Sequence, residues 1–145
     1  MLENIFTAYS GLGLLILRLA MGIIFFVHGW PKLNPNSQMK GPAGFGGFLR
    51  QMGVPMPIFF GWVVALLETL GAVLLILGLG TRILAVLFAI NMLVAILVAK
   101  RQVMKVGFSS QQTTGWEFDF ALLAMSLALL FTGAGTIALD PLLGL

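Results

Sequence analysis

The sequence contains no cysteine, a single histidine and few charged side chains. The absence of cysteine excludes disulfides, thiolate metal sites, cysteine-ligated iron–sulfur clusters and a redox-active dithiol within this chain. Charged residues make up only 9% of the chain, whereas hydrophobic residues make up 59%. A water-soluble globule of this size needs far more polar surface to cover its core. The composition therefore predicts an integral membrane protein, and redox chemistry would need a cofactor supplied from elsewhere.

Four hydrophobic runs are long enough to cross a lipid bilayer, which takes about 20 apolar residues in a helix. They lie at about residues 11–29, 58–79, 83–99 and 117–138. No internal repeat or domain linker separates them. Residues 1–145 are therefore predicted to form one transmembrane domain, an all-α integral membrane four-helix bundle in contact with the lipid bilayer.

Basic residues gather on one side of the predicted bundle. Six of the eight fall in the two long polar loops: Lys32, Lys40, Arg50, Lys100, Arg101 and Lys105. The opposite side keeps Arg82 with Glu3 and Asp140. The positive-inside rule then predicts a multi-pass protein of the inner (plasma) membrane, with both long loops cytoplasmic and both termini outside. The basic residues form no patch with interleaved aromatics, so no nucleic-acid partner is predicted.

The first long loop is predicted to contain a short interfacial helix. Phe45, Phe48, Leu49 and Met52 recur at helical spacing between prolines. An amphipathic helix of this kind lies at the membrane surface with its apolar side inward. It serves either as a plug over the helix ends or as a lid over a site.

Polar residues inside the spans are the most informative feature, because each is costly in hydrocarbon unless it is paired or wetted. Arg18 lies ten residues from His28 and Glu68 lies ten from Ile58. At 1.5 Å per residue both sit about 15 Å from the cytosolic helix ends, and Asn91 lies about 12 Å deep. We therefore predict a buried Arg18–Glu68 pair near the midplane, which Asn91 can join.

Such a pair has two interpretations. It can be a structural contact between helices that determines which helices pack together and in what register. It can also orient the carbonyl or hydroxyl of a quinone or another lipophilic ligand, while the apolar remainder of the ligand stays in hydrocarbon. Arg18, Glu68 and Asn91 are therefore the candidate ligand-binding residues.

A second polar group is predicted at the cytosolic mouth of the bundle: His28, Lys32, Glu117 and Asp119. These side chains could exchange protons or contact lipid headgroups. Glu117 and Asp119 also have a structural explanation, because acids near a helix start are favoured by the helix dipole. The spacing matches no known metal-binding pattern, so no metal is predicted.

Four segments resemble the DoxX family of small bacterial four-helix membrane proteins. They are R-L-A-M-G-x-x-F-x-x-H-G, E-T-L-G-A-x-L-L-x-L-G-L-x-T-R, G-W-E-F-D and G-x-G-T-I-A-L-D. The resemblance runs from about Leu14 to Pro141. Carried onto matching positions, the recurring polar residues of the family are Arg18, His28, Lys32, Glu68, Glu117 and Asp140.

The resemblance implies a role in redox reactions at the membrane. The family name comes from a subunit of archaeal thiosulfate:quinone oxidoreductase, and other members are linked to methylamine-dehydrogenase maturation and to membrane oxidoreductase complexes. The implied function is an accessory subunit of a quinone-linked redox system, with a membrane protein partner that supplies the redox centre. No cofactor is predicted to be covalently bound, and quinone is the candidate ligand. The accessory-subunit hypothesis is compatible with an oligomer of this chain.

Two other functions stay open. The chain could be a structural or assembly subunit of a larger membrane complex, whose polar residues specify only its own fold. Transport of a small solute or proton is less favoured, because no broken helix or inverted repeat is visible. A catalytically autonomous oxidoreductase is disfavoured, since the sequence has no dinucleotide-binding fingerprint and no pair of histidines for haem.

Overall fold

The computed structural model describes residues 9–111 and 114–145, and all regular structure in these ranges is helical. The all-α prediction is confirmed. The helices are α1 (Ser10–Leu33), α2 (Gly41–Gln51), α3 (Pro57–Leu77), α4 (Thr81–Val103), α5 (Glu117–Thr132) and α6 (Asp140–Leu143). The predicted domain of residues 1–145 also includes residues 1–8 and 112–113, which lie outside the described ranges.

Within the described residues, three helices are long and apolar enough to cross a membrane: α1 with 24 residues, α3 with 21 and α4 with 23. The fourth predicted span, residues 117–138, is shorter than expected as a helix, because α5 ends at Thr132 after 16 residues. Gly133 follows with φ 75° and ψ −163°, a conformation that only glycine adopts readily. The four-span count therefore stays a prediction.

The core lies where α1, α3, α4 and α5 meet. Its centre is the stacked pair of Phe25 from α1 and Phe88 from α4, whose ring centroids are 4.0 Å apart. Fully enclosed Met21 and Leu75 pack in the same cluster. The outward faces of these helices are apolar and exposed, as expected for a protein whose solvent is lipid.

The first long loop contains the predicted helix as α2, which packs against the first turns of α3. The approach is close because two glycines meet there. A side chain on Gly61 would lie 2.7 Å from the carbonyl oxygen of Pro42, and one on Gly46 would lie 2.7 Å from the side chain of Ile58. Phe45 and Leu49 face inward and are buried, so α2 forms a wall of the bundle.

A tight turn over Gly78–Gly80 joins α3 to α4, and we call this end of the bundle the hairpin end. Gly78 and Gly80 have φ of 68° and 65°, the left-handed region that glycine occupies without penalty. The amide of Leu79 donates to the carbonyl of Leu74, which closes α3 with a Schellman-type cap. The opposite end, with residues 34–56, 104–111 and 114–116, is the loop end.

Arg18 belongs to the hairpin end, and the predicted Arg18–Glu68 pair is wrong. The fully buried guanidinium donates to the carbonyl oxygens of Leu75 at 3.3 Å and Ile76 at 2.8 Å, and also to that of Ile137. Arg18 thus caps the C-terminal end of α3, where unsatisfied carbonyls and the helix dipole favour a cation.

Asp140 is a second buried charged residue at the hairpin end. Its two carboxylate oxygens accept hydrogen bonds from the amides of Gly80 at 2.6 Å and Thr81 at 2.9 Å, so it caps the N-terminal end of α4. Burial alone would raise the pKa of Asp140, but the hydrogen bonds from Thr81 and Gly80 and the charge of Arg18 lower this pKa below its ordinary value.

Asp140→Asn is expected to lower the free energy of unfolding in detergent by about 1 kcal/mol at pH 7, the usual value of a helix cap. A carboxylate whose pKa is lowered by folding stabilises the protein above its unfolded pKa of about 3.9, and this contribution is lost as the pH falls further. The stability difference between the two proteins should therefore shrink below about pH 4. A difference that is constant from pH 7 to pH 3 would contradict the capping role.

Candidate site at the loop end of the bundle

A cavity of about 310 Å³ opens at the loop end, between α1, α2, α3, α4 and the start of α5. Most of its wall is apolar and includes Phe25, Phe45, Phe48, Leu49, Met92 and Ala95. A small number of polar side chains interrupt this wall. An apolar cavity with a few converging polar groups is the usual form of a small-molecule site.

The deep polar group of the cavity is centred on Glu68, whose side chain is only 4% exposed. One carboxylate oxygen accepts a hydrogen bond from the amide of Asn91 at 2.8 Å, and the other forms an ion pair with Lys32. Lys32 also lies 5.0 Å from the ring centroid of Phe45, a cation–π distance. We call Lys32, Glu68 and Asn91 the deep cluster.

Local backbone features place Glu68 in this position. It lies in the π-helical turn Leu67–Gly71 of α3, and such turns redirect side chains within a helix. Gly29 of α1 packs directly on it: a side chain at this position would lie 2.6 Å from the carbonyl carbon of Glu68. This contact brings α1 close enough for Lys32, almost one turn later, to reach the carboxylate.

The cavity mouth carries His28, Asp119 and Lys100. His28 is exposed, and its Nδ1 lies 2.9 Å from the carbonyl oxygen of Ile24. Asp119 stands in the first turn of α5, and one of its carboxylate oxygens is enclosed without a hydrogen-bond partner among the described residues. Lys100 donates to the carbonyl of Thr114 at 2.7 Å and ties the second loop to α4.

The structure divides the predicted site residues among three places. Asn91 and Lys32 meet Glu68, His28 and Asp119 line the mouth of the same cavity, and Arg18 lies at the other end of the bundle. Glu117 does not line the cavity. Its carboxylate lies against Gly115, and its backbone amide donates to the carbonyl of Phe108 at 3.0 Å.

Lys32 is predicted from the sequence to lie at the headgroup level, and its ion pair with Glu68 is not predicted. The missed signal is the position of Lys32 within four residues of His28 and Gly29, which keeps it on the same helical face. Phe45 is predicted to lie on the inward side of its helix, but its contact with the Lys32 ammonium is not predicted. No group of three or more histidine, aspartate or glutamate side chains within residues 9–111 and 114–145 could hold a metal ion.

Known proteins similar to this chain are membrane proteins. The DoxX family model matches residues 13–101. The "Putative oxidoreductase CatD" of Bacillus subtilis is 40% identical over 130 residues, covering 90% of this chain and 86% of that protein. The "Inner membrane protein YphA" of Escherichia coli is 31% identical over 129 residues, covering 88% and 87%.

A third relative, the "Uncharacterized membrane protein Rv3486" of Mycobacterium tuberculosis, is 29% identical over 130 residues, covering 86% of this chain and 77% of that protein. No solved structure shows significant similarity to the chain. The match to CatD covers nearly the whole length of the chain.

Proposed function

This chain belongs to the DoxX family of membrane proteins, and on that premise we propose that it is an accessory subunit of a membrane redox system that binds a quinone-like lipophilic ligand in the loop-end cavity. The observation that carries the proposal is the deep cluster, Lys32, Glu68 and Asn91, in the wall of an otherwise apolar cavity of about 310 Å³. The oxidoreductase name of CatD supports the redox setting.

The deep cluster offers hydrogen-bond donors to a ligand. An ammonium group has three N–H donors, and Lys32 uses one of them on Glu68. The amide of Asn91 has two, of which one is committed to Glu68. Glu68 holds both donors in place and offsets the charge of Lys32, so that a neutral carbonyl head can be oriented without burying a net charge. The alkyl part of the ligand would contact Phe48 and Met92.

The redox centre itself is assigned to a partner protein. The chain has no cysteine and only one histidine, so it lacks the usual ligands for iron–sulfur clusters and bis-histidine haem. In this proposal the chain binds the lipophile and presents it to an oxidoreductase in the same membrane. The two long loops face the cytoplasm, as the distribution of basic residues predicts.

The first experiment is purification of the tagged protein from its native membrane into nanodiscs, followed by mass spectrometry of the polypeptides and lipids that accompany it. Enriched quinone, or a stoichiometric oxidoreductase subunit, is the expected result. Recovery with bulk phospholipid alone, and with no polypeptide partner, would contradict the proposal.

Glu68→Gln is expected to lower the affinity for a short-chain quinone about tenfold, or by about 1.4 kcal/mol. The substitution removes the charge that holds Lys32, and an unpaired buried cation turns away from the ligand or becomes hydrated. Titration of tryptophan fluorescence in nanodiscs measures the affinity.

Asp140→Asn is the matched control for Glu68→Gln, because it also removes one buried carboxylate but at the opposite end of the bundle. It should lower stability and leave the affinity for quinone unchanged. If Glu68→Gln also lowers only the stability, Glu68 does not belong to a ligand site.

A structural or assembly subunit is the second candidate function. The observation that favours it is the hairpin end, where Arg18 and Asp140 cap α3 and α4. Buried charges in this chain therefore do serve the fold. Under this alternative both Glu68→Gln and Asp140→Asn would act on thermal stability alone.

A further inference from the structure

Asp119 leaves a hydrogen-bond acceptor unused beside the cavity. The residue contributes to the cavity wall, and its Oδ2 atom is shielded from solvent with no hydrogen-bond partner in residues 9–111 and 114–145. A buried polar atom in a native protein almost always has a partner, because an unsatisfied one costs free energy. The Oδ2 atom of Asp119 at the mouth therefore requires a hydrogen-bond donor.

The neighbouring cations do not supply this donor. Lys100, His28 and Lys32 lie close enough to act electrostatically on Asp119. The hydrogen bond of Lys100 goes to the carbonyl of Thr114, however, and that of Lys32 goes to Glu68. Both ammonium groups balance the charge of the carboxylate without satisfying its enclosed oxygen.

His28 offers a second acceptor at the mouth when its imidazole is neutral. Its Nδ1 contacts the carbonyl oxygen of Ile24, and a carbonyl can only accept, so Nδ1 carries the proton. The other ring nitrogen of a neutral histidine, Nε2, is then an acceptor. The ring of Phe118, whose centroid lies 5.6 Å away, flanks the imidazole.

The two ends of the cavity therefore differ in hydrogen-bonding character. The deep cluster holds spare donors on Lys32 and Asn91, whereas the mouth holds a spare acceptor on Asp119, with Nε2 of His28 as a second when the imidazole is neutral. We propose that the mouth accepts a hydrogen bond from a hydroxyl or N–H group of the ligand, so that the site prefers a ring ligand with a free hydroxyl, such as a hydroquinone, to a ligand without a donor. This inference rests on the proposed function and specifies its ligand class.

Two probes of nearly the same shape test the preference: a decyl-substituted hydroquinone and its dimethyl ether, which lacks both donors. Tryptophan fluorescence in nanodiscs under argon measures the two affinities. The unmodified protein is expected to bind the hydroquinone about tenfold more tightly, equivalent to about 1.4 kcal/mol. Asp119→Ala should reduce the ratio of the two affinities to near one.

Glu117→Ala is the matched control, because Glu117 also has an enclosed oxygen without a partner but does not line the cavity. It should leave the ratio of affinities unchanged. Asp119→Asn, which keeps the shape of the side chain and one acceptor, should retain part of the preference and replaces Asp119→Ala if that variant does not fold.

The outcomes separate this inference from the proposed function. Equal binding of the two probes to the unmodified protein, with binding lost in Glu68→Gln, would overturn the preference for a donor and leave the lipophile site standing. An unchanged ratio in Asp119→Ala would also overturn the preference. Saturable binding of neither probe would overturn both proposals.

Discussion

Arg18→Met is expected to lower the free energy of unfolding by about 3 kcal/mol, because the carbonyls of Ile76 and Ile137 lose their side-chain donor and an enclosed carbonyl left unsatisfied costs about 1–3 kcal/mol. The carbonyl of Leu75 also loses a hydrogen bond from Arg18 but keeps the one from the amide of Gly78. Methionine replaces the aliphatic stem of arginine, ends short of the guanidinium position and carries no donor. Thermal and denaturant unfolding in detergent micelles measures the loss.

Arg82→Met is the control for Arg18→Met. Arg82 belongs to the same end of the bundle, near Gly133, but its side chain is exposed. Its removal should change stability by no more than about 0.5 kcal/mol, as for most surface substitutions. Arg18→Lys should be intermediate, because a compact ammonium group cannot span α3 and Ile137 together. If Arg18→Met and Arg82→Met have equal unfolding free energies, Arg18 does not stabilise the protein by capping α3.

The helices of the bundle could be predicted from the sequence because hydrophobic length is a strong signal. The first three predicted spans, residues 11–29, 58–79 and 83–99, match α1, α3 and α4 to within a few residues. The errors lie at the ends, where polar residues continue a helix. α1 runs on through Pro31 to Leu33, and α4 continues to Val103 as a π-helical segment.

The wrong Arg18–Glu68 pair has a physical cause. The predicted depths assume that the ends of two hydrophobic runs, at His28 and Ile58, lie at the same membrane surface. In the structure Gly29 packs on Glu68, and Gly22 packs on Ala72. Helix register in a membrane is set by close contacts of small residues more than by hydrophobic length, so α1 and α3 are offset relative to the alignment assumed.

The candidate site could be predicted only in part for the same reason. The polar residues that line the cavity were singled out because an ionisable group in lipid requires a partner. Which partner each one finds depends on helix rotation, on the π-helical turn at Glu68 and on the path of the loop helix α2. None of these has a periodic signature in the sequence. The sequence therefore indicates Glu68 and Lys32 as separate candidates, and only the packing of the helices shows that they form an ion pair.

Gly29→Ala is expected to destabilise the bundle by about 2 kcal/mol, within the range of about 1–3 kcal/mol for overpacking a core. An added Cβ atom would lie 2.6–2.7 Å from the backbone and Cβ of Glu68, so α1 and α3 must move apart. The contact atoms belong mainly to the backbone and cannot turn away. Separation of the helices also stretches the ion pair between Lys32 and Glu68, and the affinity for a quinone-like ligand should fall with the stability.

Gly13→Ala is the matched control, because it makes the same substitution in the same helix where an added Cβ meets nothing within 4 Å. Alanine is the better helix former by about 1 kcal/mol, so this variant should be neutral or slightly more stable. The difference between the two variants isolates the contact of Gly29 with α3 from helix propensity. If both variants melt together and bind ligand equally, the close approach at Gly29 does not position Glu68, and the deep cluster must be held by Lys32 and Asn91 alone.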